Sequence, residues 1–142
     1  MMTYKINYEA HPRAEDIQVL SDGIWDYAKQ KKGHEPNDYF AFYIRDENNK
    51  ILAGCSGENS YGGFFIDKLW VDEELRGKGY GTQLMLAAEK LGKERGCNFA
   101  ATSTMEWEAL EFYKKLGYRI EFERHGFFKD SINYFLRKEL IN

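Results

Sequence analysis

Three alternating glycines separate the longest apolar run of the chain from a strongly helical segment. They lie in the stretch Arg76-Gly77-Lys78-Gly79-Tyr80-Gly81, between a strand predicted at residues 64–71 and a helix predicted at residues 79–95. Glycine reaches positive φ without strain and lets the backbone approach a ligand, so several N–H groups at a helix start can point at one anion. The stretch predicts a strand-loop-helix unit that holds a phosphate or pyrophosphate, although such a turn can also be purely structural.

Two common nucleotide-binding motifs do not fit these glycines. A dinucleotide fingerprint counted from Gly79 requires a glycine where the chain has Leu84, and one counted from Gly77 requires a glycine at Thr82. A Walker-type loop requires Ser or Thr after its lysine, whereas Lys78 is followed by Gly79. The loop alone therefore leaves its anionic ligand open.

Hydrophobic periodicity divides the chain into strands and helices. Strands are predicted at residues 3–8, 39–45, 51–56, 64–71, 98–103, 118–124 and 132–140, and helices at residues 14–29, 79–95 and 106–116. This order indicates an α/β or α+β fold with a mixed sheet, in one domain that spans residues 1–142. The run at residues 64–71 predicts a central strand covered on both faces, although Asp67 and Lys68 interrupt it.

Composition excludes several functional classes. The 142 residues include 20 basic and 23 acidic side chains, with a formal net charge of -3 and no block of like charge, which disfavours nucleic-acid binding. No signal sequence and no membrane-length apolar stretch is visible, so we expect a cytoplasmic protein without a membrane partner. Cys55 and Cys97 lie in apolar surroundings and are interpreted as reduced core residues, and no metal-ligand cluster is visible.

The segment from Leu69 to Met85 resembles the signature of the GNAT superfamily of acetyl-CoA-dependent N-acetyltransferases. Arg76, Gly79 and Gly81 occupy the family's Arg/Gln-x-x-Gly-x-Gly/Ala pattern. A second segment, ALEFYKKLGY at residues 109–118, is similar to the family element A-x-x-[F/L]-Y-x-K-x-G-[F/Y]. Two motifs in the family's order and spacing are more specific than either alone, and the clear match covers residues 64–118.

The resemblance implies acetyl-CoA as co-substrate and a mostly antiparallel mixed sheet, flanked by helices and splayed at the acetyl-CoA site. The loop residues implied in binding its pyrophosphate are Arg76, Gly77, Lys78, Gly79, Tyr80, Gly81 and Thr82. Their backbone N–H groups would make the contacts, while the side chains of Arg76 and Lys78 are either further contacts or solvated cations. The backbone of Leu69, Trp70 and Val71 would pair with pantetheine, and the Val71 N–H would be an oxyanion donor.

Acetyl transfer to an amine requires an acceptor for the amine proton and a proton donor for the departing thiolate. By the resemblance, Tyr113 is the proton donor, although it could instead only pack on its helical face. Asp67 lies near the position at which some family members carry a catalytic carboxylate, so it is a candidate base. Alternatively, it is an ion-pair partner of Lys68. Glu106 replaces a family asparagine, so it would act as base, orient water or simply begin a helix.

The acceptor is expected to be a primary amine, on a small molecule or, alternatively, on a protein. Because the family transfers acetyl directly in a ternary complex, no serine or cysteine nucleophile is required. Glu58 and His125 are further candidate bases. Aromatic and polar side chains outside the motifs would line the acceptor pocket or belong to the core: Trp25, Tyr27, His34, Tyr39, Tyr61 and the loop at residues 125–131.

Two alternatives stay open on the sequence. A catalytically silent CoA-binding or protein-interaction module would have the same motifs, and a nucleotide enzyme that does not acetylate is a more distant alternative. The aromatic strand at residues 132–136 could form a homodimer interface, but a core strand has the same pattern.

Overall fold

The computed structural model describes residues 2–141, which contain three α-helices and six β-strands. In chain order they are α1 (Ala14–Lys32), β1 (Asp38–Arg45), β2 (Ile51–Ser60), β3 (Gly63–Val71), α2 (Tyr80–Glu94), β4 (Phe99–Met105), α3 (Leu110–Lys115), β5 (Arg119–Arg124) and β6 (Asn133–Glu139). The chain divides between Pro36 and Asn37 into two compact units. Within residues 2–141, no helix is both long and apolar enough to cross a membrane.

The first unit contains α1, whose terminal charges match the helix dipole. Glu15 and Asp16 lie in its first turn, and Lys31 and Lys32 lie in its last turn. The helix ends at Gly33, whose φ of 71° is in the left-handed region that glycine adopts readily. The predicted helix is therefore confirmed, and it continues beyond its predicted end at residue 29.

The strand predicted at residues 3–8 is wrong. Residues 2–9 belong to no helix or strand. An alternating pattern determines which face a strand would bury, but a strand forms only where a neighbouring strand supplies hydrogen-bond partners. The local pattern carries no information about such a partner, and this is why the expectation failed.

The second unit contains a single mixed sheet with the strand order β1-β2-β3-β4-β6-β5. Every neighbouring pair is antiparallel except β3 and β4, which confirms the predicted mostly antiparallel sheet. Strand β6 pairs with β4 on one side and β5 on the other, so residues 133–136 lie in an internal strand. The outer strands of this sheet are β1 and β5. A homodimer stays a prediction.

One face of the sheet packs against α2. The core cluster joins buried side chains of this helix to those of the strands, among them Leu84, Met85, Ala88, Phe64, Ile66, Ala100 and Leu136. Cys55 and Cys97 are also buried, as the sequence predicted, and both are free thiols. Burial raises the pKa of the Cys55 thiol to about 11, so this thiol stays protonated and unreactive at neutral pH.

Strands β3 and β4 separate after a short parallel ladder. The ladder joins residues 63–65 to residues 99–101, and the Thr102 hydroxyl then donates to the Ile66 carbonyl at 2.8 Å. Beyond this point β3 continues to Val71 without pairing to β4 within the described chain. Asp67 and Lys68 are exposed there, so the predicted coverage of β3 on both faces is wrong for its second half. The opening is the splay that the family resemblance implied.

Candidate active site

Side chains hold the beginning of the segment between β3 and α2. The Asp72 carboxylate accepts a hydrogen bond from the Glu74 N–H at 3.0 Å and caps a 3₁₀ turn at Glu73–Leu75. The Arg76 Nε donates to the Val71 carbonyl at 2.9 Å, which ties the loop to the last residue of β3. Arg76 therefore has a structural role in orienting the loop, separate from any contact of its positive charge with a ligand.

The glycines then turn the chain so that a row of N–H groups is left unpaired. Gly77 and Gly79 have φ values of 74° and 86°, and α2 begins at Tyr80. The first hydrogen bond into the helix runs from the Gln83 N–H to the Gly79 carbonyl. Within residues 2–141, none of the N–H groups of residues 77–82 donates to another residue. With the partial positive charge of the helix end, this geometry suits a phosphate or pyrophosphate.

A groove leads from this loop to the opening between β3 and β4. Three neighbouring spaces with shared lining residues form it: a loop cavity of about 260 Å³ at the glycines, a middle cavity of about 560 Å³, and an inner cleft of about 390 Å³ between the strands. The loop and middle cavities share Val71, Arg76, Gly81 and Phe112. The middle cavity and the inner cleft share Leu69, Trp70, Glu108 and Ala109.

Leu69, Trp70 and Val71 form the β3 wall of this groove. Their backbone pairs with residues 53–55 of β2 on one side, while β4 has diverged on the other. Because backbone groups alternate between the two edges of a strand, the edge facing the groove keeps N–H and carbonyl groups that pair with no strand, while the Val71 carbonyl accepts the Arg76 Nε. Such an edge suits an extended ligand that contains amide groups.

Tyr113 lies at the inner end of the groove. Its side chain lines the inner cleft and is nevertheless 6 % exposed. Burial raises the pKa of the phenol. A hydrogen bond with Thr102 lowers this pKa, and the charge of Glu108 raises it. The rings of Phe112 and Tyr118 pack edge-on against Tyr113 at 5.1 and 5.9 Å between centroids. Tyr113 is thus a packed, protonated phenol at the inner end of the groove.

Glu108 is a site residue that the sequence did not predict. It lines both the middle cavity and the inner cleft, and its carboxylate accepts the Met105 N–H at 2.9 Å. It lies in a turn, because α3 begins at Leu110 and not at residue 106 as predicted. The Ala109 N–H donates to the Thr104 hydroxyl at 3.2 Å, and this contact stabilises the turn in place of a first helical turn. No periodic pattern could have revealed Glu108, since turns have none.

Glu106 is bound to the beginning of β6. Its backbone N–H donates to the Ile132 carbonyl at 2.9 Å, and its carboxylate accepts the Ile132 N–H. The neighbouring Trp107 indole donates to the Ser131 hydroxyl at 3.3 Å. Because α3 begins at Leu110, the alternative that Glu106 begins a helix is wrong. Its contacts support a structural role, and Glu106 is not among the residues that line the inner cleft; a catalytic role stays a prediction.

Asp67 lies on β3 just beyond the last residue that pairs with β4. It lines the inner cleft, and it also lines a cavity on the other side of the opening. Partial burial raises the pKa of its carboxyl, the charge of Glu58 adds to this, and Lys68 opposes it. A carboxylate of this kind binds a proton more readily than one in free solvent.

The other candidate bases, Glu58 and His125, are not among the residues that line the inner cleft, although the charge of Glu58 acts on Asp67. Glu58 accepts a hydrogen bond from the Asn37 side chain at 3.0 Å. His125 lies 3.1 Å from the Glu123 carboxylate on the exposed surface. Of the aromatic candidates for the acceptor pocket, Tyr39 and Tyr61 are exposed in the second unit, and the others lie in the first: Trp25, Tyr27 and His34.

Comparison with known proteins gives consistent results. A family profile described as "Acetyltransferase (GNAT) family" matches residues 2–118. An acetyltransferase of Agrobacterium fabrum is 29 % identical over 105 residues, which cover 74 % of this chain and 77 % of that protein. Blasticidin-S acetyltransferase of Streptomyces morookaense is 30 % identical over 106 residues, which cover 74 % of this chain and 78 % of the relative.

The fold is also found among solved structures. The crystal structure of a candidate acetyltransferase from Agrobacterium tumefaciens superposes with a TM-score of 0.83 at 25 % identity. The superposition covers 97 % of this chain and 99 % of that one.

Proposed function

This chain belongs to the GNAT family of acetyltransferases, and we propose that it transfers an acetyl group from acetyl-CoA to a primary amine of a small molecule, by direct attack in a ternary complex. One observation carries the proposal: a single groove connects the unpaired N–H groups at residues 77–82 with the buried phenol of Tyr113. A relative named blasticidin-S acetyltransferase supports a small-molecule acceptor.

The groove fits acetyl-CoA, which supplies the acetyl group when bound. The unpaired N–H groups of residues 77–82 would hold its pyrophosphate, with Lys78 as a further cation. The free edge of β3 at residues 69–71 would hold the pantetheine amides, and the Val71 N–H would stabilise negative charge on the acetyl oxygen. This arrangement directs the reactive end toward the inner cleft and Tyr113.

We expect Gly79→Ala to weaken CoA binding about tenfold, because the alanine Cβ disfavours the φ of 86° that aims the loop N–H groups. Isothermal titration calorimetry with CoA measures the effect. Gly96→Ala is the matched control: Gly96 also has a positive φ, of 76°, and open space around it, but it lies at the other end of α2. Equal affinities in both variants would show that the loop geometry is not used for CoA.

The acceptor amine must lose a proton before it can attack. An amine with a pKa near 10.4 is neutral in only about one molecule in 2,500 at pH 7, which corresponds to roughly 4 to 5 kcal/mol. Asp67 is placed to accept this proton, because it borders the inner cleft where β3 and β4 have separated. Tyr113, on the same cleft, is placed to give a proton to the departing sulfur.

We therefore expect Asp67→Asn to lower kcat/KM for the amine about 100-fold at pH 7. Only the ionised carboxylate accepts a proton, and the pKa of Asp67 is raised, so the rate of the unmodified protein should fall as the pH drops through that pKa. A pH profile of kcat/KM should lose this acidic limb in the variant. Glu47→Gln, on the exposed turn between β1 and β2, is the charge-matched control. An unchanged profile in Asp67→Asn would assign the proton to another group.

A catalytically silent module is the rival proposal, and a scan of primary amines with detection of released thiol separates the two. Thiol release with at least one small amine supports the acetyltransferase. Binding of acetyl-CoA without turnover on any amine would support the silent module.

The family match extends across parts of both units, which supports one acetyltransferase domain over residues 1–142. A cytoplasmic location and a homodimer remain predictions.

A further inference from the structure

A second cavity lies on the face of the sheet opposite to α2. We call it the aromatic cavity, because its lining includes Phe65, Phe99 and Phe135, and its volume is about 430 Å³. Neighbouring side chains of a strand point to opposite faces, and the neighbours Phe64, Ala100 and Leu136 belong to the core shared with α2. The three phenylalanines therefore point away from that core. The volume lies within the range of pockets that bind small molecules.

The aromatic cavity lies next to the inner cleft. Both are lined by Asp67, Thr102 and Ser103, at the place where β3 and β4 separate. A molecule bound in the aromatic cavity would thus have its reactive end beside Asp67, while the groove from the glycine loop reaches the same place from the other side.

The charges of this cavity leave one carboxylate available. Arg137 lies 3.7 Å from the Glu121 carboxylate and 2.7 Å from that of Glu139, and its guanidinium covers the ring of Phe99 at 4.0 Å. Glu121 is therefore already paired. Asp67 makes no direct ion pair with another residue in the described part of the chain, although the charges of Glu58 and Lys68 act on it. The cavity favours a molecule with one positive charge, placed at Asp67.

We propose that the aromatic cavity binds the acceptor, and that this acceptor is a monoamine whose primary amino group is joined by a short chain to an aromatic ring. The inference rests on the proposed acetyltransferase function. The amino group would lie beside Asp67, and the ring would pack against Phe65, Phe99 and Phe135. A sugar amine would bring hydroxyl groups into contact with these three rings, which offer them no hydrogen-bond partner. A polyamine would bring a second cation, for which no unpaired carboxylate is present among the described lining residues.

Steady-state kinetics with acetyl-CoA and three amines test the substrate class. We expect kcat/KM for 2-phenylethylamine to exceed the values for glucosamine and spermidine by about 100-fold. Equal values, or a preference for either polar amine, would overturn the inference while leaving the acetyltransferase function in place.

A variant that fills the cavity tests its location. Ala101 is half-buried, lines the aromatic cavity and lies on β4, so Ala101→Leu narrows the space without removing a core side chain. We expect KM for 2-phenylethylamine to rise about tenfold, with KM for acetyl-CoA changed by less than about twofold. Ala41→Leu, an exposed position on β1, is the matched control and should change neither value. An unchanged KM for 2-phenylethylamine in Ala101→Leu would place the acceptor elsewhere.

Direct binding separates failure of this inference from failure of the proposed function. Calorimetry of 2-phenylethylamine with the CoA-bound protein should show binding that Ala101→Leu weakens and Ala41→Leu preserves. That result would support the aromatic cavity as the binding site even if no amine led to thiol release. Absence of thiol release would contradict only the acetyltransferase proposal. No binding, or equal binding to all three proteins, would overturn the inference.

Discussion

Tyr113→Phe is expected to lower kcat for acetyl transfer about 100-fold under conditions where chemistry limits turnover. The change removes only the hydroxyl from a side chain that is 6 % exposed and packed between Phe112 and Tyr118, so the ring contacts should persist. The affinity for CoA should stay within about twofold, because the phenol lies at the inner end of the groove, away from the glycine loop.

The pH dependence gives this prediction a second readout. Because burial raises the pKa of Tyr113, its proton is present throughout the neutral range and is lost only in strongly alkaline solution. The rate of the unmodified protein should therefore decline at high pH, and the decline should be absent from Tyr113→Phe. Tyr43→Phe, at an exposed position on β1, serves as control. If kcat is the same in Tyr113→Phe and the unmodified protein, the tyrosine only packs and another group provides the proton.

Replacing Glu89 by alanine is expected to lower the free energy of unfolding by about 3 kcal/mol. Glu89 lies on the buried face of α2 and is 4 % exposed. Its carboxylate accepts hydrogen bonds from the Tyr118 hydroxyl at 2.9 Å and the Lys138 ammonium at 2.7 Å, which joins α2 to the residue before β5 and to β6. Alanine would leave a buried phenol and a partly buried ammonium without their acceptor, in addition to a cavity. Urea unfolding followed by circular dichroism measures the loss.

Two further variants test whether the loss of unfolding free energy in Glu89→Ala comes from the buried polar contacts. Glu94→Ala changes an exposed carboxylate at the end of the same helix and should alter stability by less than about 0.5 kcal/mol. The triple replacement Glu89→Met, Tyr118→Phe and Lys138→Met should regain most of the lost stability, because it leaves no buried polar group unpaired. A loss in Glu89→Ala no larger than in Glu94→Ala would show that the buried contacts are energetically neutral.

The two motifs were readable from the sequence because each is a contiguous segment. Glycines at 77 and 79 set the backbone angles of their own loop, and the apolar run at residues 64–71, followed by helical periodicity, places that loop between a strand and a helix. The helix and strand types in the second unit follow from local patterns in the same way. Their ends shift by a few residues, as at α3, where side-chain contacts of the turn replace the first helical turn.

Residues that depend on distant contacts could not be predicted in this way. Glu108 borders the groove only because a turn places it beside the end of β3. Glu106, unlike Glu108, does not line the inner cleft. It is held instead by two hydrogen bonds to Ile132, which is distant in sequence. The strand expected at residues 3–8 failed for the same reason, since a strand needs a partner that its own pattern does not specify.

By itself, the sequence determined that a glycine loop lies between a strand and a helix, and with the motif at residues 109–118 it indicated the family and its acetyl donor. It could do so because backbone angles and helix position are set by neighbours along the chain. Only the tertiary structure decided that β3 and β4 part after Phe65, with Asp67 between the inner cleft and the aromatic cavity. The point where two strands separate depends on register and packing across the whole sheet, which no local pattern contains.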